Sequence, residues 1–261
     1  MHTIFHIKTN IVYLFLLLLT ACKTTQTAQS VKEHPNSVLC NRIITSNMYI
    51  GISPRMKLHE KEIENAKLHI AHQIAMRSKC IVDVGALYIT EGKNDIYESD
   101  YGFDYDDSNI EELVKNIEII ADYVFNDIVL LIGKDTGKST QKNPQFTKTV
   151  TERPQWIHNP QIVSDSFGSG YMVGIGIADK YTQLYKGIYA ADLAAAQAIA
   201  SEIEMFTDMY SIDVVENKST YFASGTLSMS EGVEIIGFYI LDRWIEPDGS
   251  QYYSLGIANK N

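Results

Sequence analysis

A glycine- and lysine-rich stretch follows an apolar, strand-like run and has residue types suited to phosphate binding. Residues 133–140 read Gly-Lys-Asp-Thr-Gly-Lys-Ser-Thr. A phosphate-binding loop needs four residues between its first glycine and its Gly-Lys-Ser, because its backbone N–H groups must wrap the phosphates. Only three residues intervene here, and residues 141–144 (Gln-Lys-Asn-Pro) have no helical pattern. We therefore interpret this stretch as a linker and expect no nucleotide or other cofactor.

Two further groups have residue types that bind metal ions. Asp104, Asp106 and Ser108 have the alternating oxygen spacing of a calcium loop, but the glutamate needed at the twelfth position is missing. His69 and His72 lie one turn apart on a predicted helix, whereas a zinc site needs at least a third fixed ligand. We interpret the first group as a solvated acidic loop and the second as a polar helix face. We predict no metal site, no catalytic residues and no enzymatic activity.

A cysteine at the end of an apolar run is the most specific chemical signal. Residues 11–19 are apolar and lead into Leu19-Thr20-Ala21-Cys22. As a helix this run would span about 14 Å, so it cannot cross a bilayer of about 30 Å. The arrangement is typical of a cleaved secretory signal, and its end resembles a bacterial lipobox. The resemblance implies cleavage before Cys22 and lipid on its thiol and new amine. The alternative is an ordinary signal with a chance cysteine.

The segment after the cysteine indicates where the lipid would be anchored. Residues 23–38 are polar and lack periodicity, so we interpret residues 22–40 as a flexible tether. Lys23 occupies the position where an aspartate typically marks retention in the inner membrane. By resemblance to sorted lipoproteins, this implies a bacterial outer membrane. We expect the periplasmic face of that membrane, and exposure on the cell surface is the alternative.

Charge and cysteine content limit the partners and the redox chemistry. The formal charge is −10, and an acidic chain does not favour phosphate backbones, so we expect no nucleic acid partner. An exported protein meets an oxidising compartment, which makes Cys40 and Cys80 candidates for a disulfide. The alternative is that both are small buried hydrophobic side chains.

The chain contains an internal repeat. Residues 47–53 and 170–178 read as short strands with a Gly-Ile step, and glycine inside a strand often marks a close backbone approach. A helix is predicted after each strand, with its apolar residues on one face. Four pairs of helix positions lie 125 residues apart: Ile63 and Ile188, Ala66 and Ala191, Ile70 and Ala195, Ile74 and Ile199.

Strand patterns follow each predicted helix, at residues 80–90 and 210–215. Residues 117–120 (Ile-Glu-Ile-Ile) match residues 233–236 (Val-Glu-Ile-Ile). This match favours a strand from about residue 117, although the apolar spacing from 110 to 124 also fits a helix.

The end of the second copy reads as a β-hairpin. A strand over 233–245 turns at residues 247–249 (Pro-Asp-Gly) into a strand over 251–258. Asp-Gly between two apolar runs is a strong hairpin signal. Leu130 and Ile132 match Leu255 and Ile257 at the same separation of 125.

These patterns predict an α+β fold made of two tandem related units. Each unit is β-α-β-β-β, with one helix packed on a small antiparallel sheet. The predicted division of the chain is a signal peptide over 1–21, the tether over 22–40, a first unit over 41–134, a linker over 135–153 and a second unit over 154–261.

The second unit carries a set of motifs that resembles a known family. They are Pro154-Gln155-Trp156-Ile157, a glycine-rich strand over 171–176, an alanine-rich helix over 188–203, Asp242-Arg243-Trp244 and Tyr252-Tyr253-Ser254-Leu255. Together they resemble the LPP-type outer-membrane lipoprotein family, which includes surface-antigen and flagellum-associated members. The resemblance implies an anchored envelope protein with a scaffolding or assembly role and no catalytic residues.

We therefore expect a membrane-anchored lipoprotein with a binding or scaffolding role in the bacterial cell envelope. Its partners would be the membrane, through the lipid, and an envelope protein. The alternative is a periplasmic module that binds a small ligand or glycan in a cleft between the units. Association of identical copies is a further option.

Overall fold

The computed structural model describes residues 29–30, 34–39, 43–44, 47–91, 94–137, 146–147, 152–203, 206–216 and 219–260, with side chains over 34–39, 47–83, 102–137, 152–203 and 232–260. The predicted signal peptide and the predicted anchor Cys22 lie outside these residues. The described chain is α+β, with helices packed on small antiparallel sheets, so the predicted fold class is confirmed.

Three short elements precede the first unit: β1 (Gln29–Ser30), α1 (Asn36–Leu39) and β2 (Ile43–Ile44). The first unit then follows in order. Its elements are β3 (Met48–Pro54), α2 (His59–Ser78), β4 (Cys80–Glu91), β5 (Asn94–Tyr105), α3 (Ile110–Lys115), β6 (Ile117–Val124) and β7 (Ile128–Asp135).

The second unit repeats this order, except that no helix corresponding to α3 lies between its described strands. It follows a connection with three short elements: β8 (Phe146–Thr147), a 3₁₀ turn (Gln155–Ile157) and α4 (Gln161–Phe167). Its elements are β9 (Tyr171–Asp179), α5 (Leu184–Ile203), β10 (Phe206–Glu216), β11 (Ser219–Ile235), β12 (Tyr239–Ile245) and β13 (Gln251–Asn259).

The predicted duplication is confirmed by the positions of the elements. Helices α2 and α5 begin at residues 59 and 184 and end at residues 78 and 203, so both ends lie 125 residues apart. The hairpin β4–β5 closes with Glu91 opposite Asn94, and the hairpin β10–β11 closes with Glu216 opposite Ser219. These tips are again 125 residues apart, so the strands that follow the helices are equivalent as well.

One sequence match is wrong, because each unit has one more strand than the β-α-β-β-β pattern predicts. Residues 233–235 are the end of β11 and pair with β4, whereas residues 117–120 belong to β6 and pair with β7. The strand equivalent to β6 is therefore β12. The two runs look alike because both alternate β-branched residues with glutamate, and local sequence does not specify the pairing partner.

A glycine divides the strand that was predicted over residues 233–245. Gly237 has a φ of 76°, which is the left-handed region that glycine adopts easily, and its N–H donates to the carbonyl of Arg77. Strands β11 and β12 are therefore separate. The strand from residue 117 and the hairpin at the Asp-Gly turn are confirmed, and Gly249 in that turn has a φ of 68°.

The strands form three main sheets and one short pair. A sheet of order β1-β6-β7-β3 belongs to the first unit, and a sheet of order β12-β13-β9 belongs to the second. A third sheet of order β10-β11-β4-β5 combines the two long hairpins and is shared by both units. Strands β2 and β8 form the short pair.

Glycines let each long helix lie directly on its sheet. A Cβ atom at Gly51 of β3 would lie 2.1 Å from the carbonyl oxygen of Ala66 in α2. At Gly176 of β9 it would lie 1.9 Å from the carbonyl oxygen of Ala191 in α5. Both distances are far below any real contact, so the close approach expected from the Gly-Ile steps is confirmed. No described helix is long and apolar enough to cross a membrane.

Candidate functional site

A large cleft lined by described residues lies in the first unit. It has a volume of about 950 Å³ and opens between the end of α2, the start of β4, the end of β5, the helix α3 and the end of β7. We call it the acidic cleft, and the residues that define its character are Tyr49, Arg77, Asp104, Tyr105, Asp106, Glu112, Asn116 and Asp135.

The base of a hairpin and a short helix place the carboxylates. Tyr105 pairs with Cys80 at the base of β4–β5, so the residues after it turn back across the end of α2. Asp106 Oδ1 accepts the Ser108 N–H at 2.9 Å, and hydrogen bonds from the side chain and backbone of Ser108 lower the pKa of Asp106. Asp104 Oδ1 accepts the Tyr105 N–H at 2.8 Å. These oxygens therefore shape the turn that leads into α3.

A tyrosine–histidine pair forms part of the cleft wall. The Tyr105 hydroxyl lies 2.7 Å from His72 Nδ1, and the two rings meet edge to face with centroids 5.8 Å apart. Burial raises the pKa of Tyr105, helped by the charges of Asp107 and Asp104, while burial lowers the pKa of His72. These two pKa shifts favour the neutral forms of Tyr105 and His72.

The opposite wall is held by a buried arginine. Arg77 Nη1 donates to the Tyr49 hydroxyl at 2.9 Å, and burial raises the pKa of Tyr49. Asp135 Oδ1 accepts the Gly137 N–H at 2.8 Å and lies at the end of β7. The wall therefore combines an aromatic ring, a guanidinium and a carboxylate.

The mouth of the cleft carries negative charge. Asp104, Asp106 and Glu112 are exposed, and among the described residues no lysine or arginine forms an ion pair with them. Lys79, which also lines the cleft, pairs with Glu234 instead. An exposed, uncompensated cluster in a concave surface attracts cations and basic side chains.

A second polar group is buried where the two units meet. Arg243 of β12 donates from Nε and Nη2 to both carboxylate oxygens of Asp192 of α5, at 2.7 to 3.2 Å. Ser254 donates to Asp192 Oδ1 at 2.6 Å, and Arg243 Nη2 reaches Gln73 Oε1 of α2 at 3.2 Å. These buried side-chain hydrogen bonds link α2 of the first unit to α5 and β12 of the second unit.

The free edge of β3 is covered by side chains from both units. His69 Nδ1 accepts the Ile52 N–H at 3.0 Å, and Tyr189 of α5 donates to the Ile52 carbonyl at 2.7 Å. Gln73 donates to the Ile50 carbonyl at 3.0 Å, and the Tyr239 hydroxyl donates to the Met48 carbonyl. An uncovered strand edge is a template for further pairing, so these contacts close the first unit at this edge.

His69 is one of the side chains that cover this edge. Burial, with the nearby charges of Arg243 and His72, holds its pKa well below the ordinary value of 6.5. Its Nδ1 accepts a hydrogen bond, so the neutral ring carries its proton on Nε2, 4.0 Å from Asp192. His72 faces Tyr105, so the two histidines serve different contacts. Within the described part of the chain, no group of three His, Cys, Asp or Glu side chains is arranged to hold a metal ion.

A third cluster ties the start of α2 to the first sheet. Glu62 is buried and accepts hydrogen bonds from Arg55, the Met56 N–H and His59, which together lower its pKa although burial raises it. His59 also contacts Asp122 of β6 at 3.0 Å. The Glu62 hydrogen bond, with a further contribution from Asp122, raises the pKa of His59.

Most of the predicted site residues lie outside the residues that the structure describes. Leu19, Thr20, Ala21, Cys22 and Cys40 lie outside the described residues. Cys80 is buried, and burial raises the pKa of its thiol to about 12. The pairing of Cys40 with Cys80 stays a prediction.

The lysine-rich stretch at residues 133–140 begins inside a strand. Residues 133–135 are the end of β7, and residues 138–140 lie outside the described chain. The side chain of Asp135 binds the backbone of Gly137.

The inter-unit group was missed from the sequence, although one signal for it exists. Asp192 lies between Ala191 and Ala195 on the apolar face of α5. A charged residue on a buried stripe requires a buried partner. Trp156 and Asp242, which carry part of the family resemblance, bind each other through indole Nε1 and Oδ2 at 2.6 Å, so they are structural.

No protein-family model, no curated protein and no solved structure matches this chain.

Proposed function

We propose that this protein is a lipid-anchored lipoprotein of the bacterial envelope that binds a basic segment of an envelope protein in its acidic cleft. The anchor rests on the lipobox-like Leu19 to Cys22 and on the resemblance of the second unit to LPP-type outer-membrane lipoproteins. The binding role rests on one observation, an open cleft of about 950 Å³ whose exposed carboxylates have no described cationic partner.

The cleft chemistry favours lysine or arginine side chains. Asp104, Asp106 and Glu112 would pair with their charges, and the Tyr105 ring offers a face on which a guanidinium can stack. Aromatic residues at a concave surface are typical of protein interfaces. A scaffold that holds a basic segment near the membrane fits the expected binding or scaffolding role.

A small polar ligand such as a glycan is the second candidate. The cleft volume lies within the range of about 300–1,000 Å³ that ligand pockets have. Tyr49, Tyr105 and the Asn116 amide supply the aromatic and hydrogen-bonding groups that such a ligand needs. One void of about 20 Å³ is lined by both units and is too small for a ligand, and the predicted cleft between the units stays a prediction.

Crosslinking in living cells, followed by purification and mass spectrometry, tests the proposal. The cleft variant combines Asp104→Asn, Asp106→Asn and Glu112→Gln. The matched control combines Glu60→Gln, Glu118→Gln and Glu202→Gln, which neutralises three exposed carboxylates outside the cleft. We expect one protein to be recovered with the wild type and the control but lost with the cleft variant. Equal recovery with both variants would contradict the use of the cleft.

The anchor and the second candidate have their own tests. Cys22→Ser should release the protein from the membrane fraction and abolish the crosslink, because the lipid supplies the attachment. A glycan that raises the melting temperature of the wild type and of the control, but not of the cleft variant, would favour the small-ligand function instead.

A further inference from the structure

The shared sheet joins the two units in an asymmetric way. Strands β4 and β10 are the equivalent first strands of the two hairpins, and β5 and β11 are the equivalent second strands. In the order β10-β11-β4-β5, the central contact joins a second strand, β11, to a first strand, β4. A two-fold arrangement would join like strands, so the units are related head to tail.

Head-to-tail joining leaves one edge of each kind at the ends of the sheet. Within the described residues, the outer edges are β10, which is a first strand, and β5, which is a second strand. These are the same two kinds of edge that already pair at the centre. Each copy therefore has, at the two ends of its sheet, the same two kinds of strand that pair as β11 and β4 inside the sheet.

Strand β9 of the second unit is also more exposed than its counterpart β3 in the first unit. Ile52 of β3 has 0% exposure and shares a core cluster with Leu241 and Ile245 of β12. Its equivalent 125 residues later, Ile177 of β9, is 52% exposed. The second unit thus leaves exposed, at Ile177, the face of β9 that corresponds to the face of β3 packed against its neighbouring unit.

The side chains that close the edge of β3 have no counterparts at β9. His69 and Gln73 of α2 correspond to Ala194 and Ala198 of α5, which have no hydrogen-bonding groups. Strand β9 is an outer strand of its sheet, and among the described residues no side chain from the first unit caps it as Tyr189 caps Ile52. The uncovered edge is therefore a difference between two otherwise equivalent strands.

We propose that copies of this protein associate head to tail, with β5 of one copy pairing antiparallel to β10 of the next. The contact repeats the internal pairing of β11 with β4, in which Ser224 lies opposite Thr90 and Leu227 opposite Leu87. Subtracting 125 from the first member and adding 125 to the second places Ser99 opposite Val215. A head-to-tail contact closes into a ring or continues as a filament, depending on the rotation between copies.

The same register predicts a salt dependence. It places Glu98 of one copy opposite Glu216 of the next, and like charges directly opposite each other destabilise a strand pair. Salt screens exposed charges over about 10 Å at 0.1 M. Association should therefore strengthen as the salt concentration rises, whereas a contact held by ion pairs would weaken.

Cysteine crosslinking of the full-length chain in detergent tests the proposed strand pair. The variants are Ser99→Cys, Val215→Cys and the two together. Strands β5 and β10 are three strand spacings apart in one copy, about 14 Å at about 4.8 Å each, whereas a disulfide needs Cα atoms within about 7 Å. Any disulfide between the two introduced cysteines therefore joins two copies.

We expect the double variant to form a ladder of covalent multimers under mild oxidation. Mixing the two single variants should give one dimer, and each single variant alone should behave like the parent chain. The off-register pair Ser99→Cys with Asp213→Cys should crosslink at least tenfold more slowly. Dimers from either single variant alone would show like-edge pairing and overturn the proposal. A monomeric mass by light scattering at 0.5 M salt, with no crosslinks, would also overturn it.

Discussion

The two equivalent strands β3 and β9 share an Ile-Gly-Ile sequence and have different surroundings. Ile52 follows a glycine that contacts α2, and Ile177 follows a glycine that contacts α5. Ile52 is fully buried with its backbone capped by His69 and Tyr189, whereas Ile177 is half exposed. The local sequence therefore makes the strand, and the presence of a neighbouring unit decides whether its edge is closed.

Loss of Arg243 should have the largest effect on the contact between the two units. Arg243→Ala leaves the buried Asp192 charge without its main partner, so we expect the free energy of unfolding to fall by about 3–5 kcal/mol. Urea unfolding of the variant measures this. Lys61→Ala removes an exposed ion pair with Glu64 that water screens, so it should leave the urea midpoint nearly unchanged. Similar losses for both would show that the Arg243 group does not hold the units together.

Truncation of the two isoleucines tests the comparison directly. Ile52→Ala should lower the free energy of unfolding by about 2–5 kcal/mol, because it opens a cavity in the shared core. Ile177→Ala should change it by less than about 1 kcal/mol, because about half of its side chain is already in solvent. Thermal and urea unfolding at low protein concentration would measure both. Equal losses would mean that Ile177 is buried, and the comparison would fail.

Removal of one hydroxyl tests the cap on the strand edge. Tyr189→Phe leaves the Ile52 carbonyl without its side-chain donor, so the free energy of unfolding should fall by about 1–3 kcal/mol. Tyr181→Phe, at an exposed tyrosine of the same unit, is the control and should have little effect. Hydrogen exchange should show faster exchange along β3 in Tyr189→Phe, and unchanged exchange there would argue against the cap.

The smallest expected effect is a dependence of the folding stability on pH that arises from His69. The second unit has Ala194 at the equivalent position and lacks this effect. The folded pKa of His69 lies well below 6.5, so below about pH 6.5 the unfolded chain takes up a proton that the folded chain does not. Its contribution to stability is therefore lost as the pH falls from 6.5 toward the folded pKa. His69→Gln should flatten this acid limb of the stability profile.

His59 acts in the opposite direction and provides an internal control. Its folded pKa is raised, so its contribution is present below about pH 6.5 and is lost as the pH rises through the folded value. His59→Gln should therefore change the limb above pH 6.5 and leave the acid limb as it is. The opposite assignment of the two limbs would contradict the hydrogen bonding of both histidines.

The elements that depend on local patterns were predictable from the sequence. The apolar spacing of Ile63, Ala66 and Ile70 specifies a helix face, and the Asp-Gly turn specifies the last hairpin. The separation of 125 residues identified the repeat because duplicated helices keep their buried positions. The match of residues 117–120 to 233–236 failed because alternating β-branched residues fit any half-buried strand.

The candidate site was predictable only in part. Asp104 and Asp106 stood out by their spacing, but their meeting with Tyr49 and Asp135 depends on how β5, α3 and β7 end around α2. The sequence has Asp192 as a charge on an apolar helix face, which signals a buried partner. That partner, Arg243, lies in β12, and strands β10 and β11 separate β12 from the helix of Asp192 along the chain. Long-range pairing of this kind leaves no local pattern.

The sequence by itself determined the units, because helix faces, glycine approaches and turns depend on residues close together in the chain. The tertiary structure alone decided how the units are joined, with β11 beside β4 and the edge of β3 beneath Tyr189 and Tyr239. Backbone hydrogen bonds between strands are the same for any pair of edges. The choice among them therefore depends on which side chains and which neighbouring unit cover each edge in the folded chain.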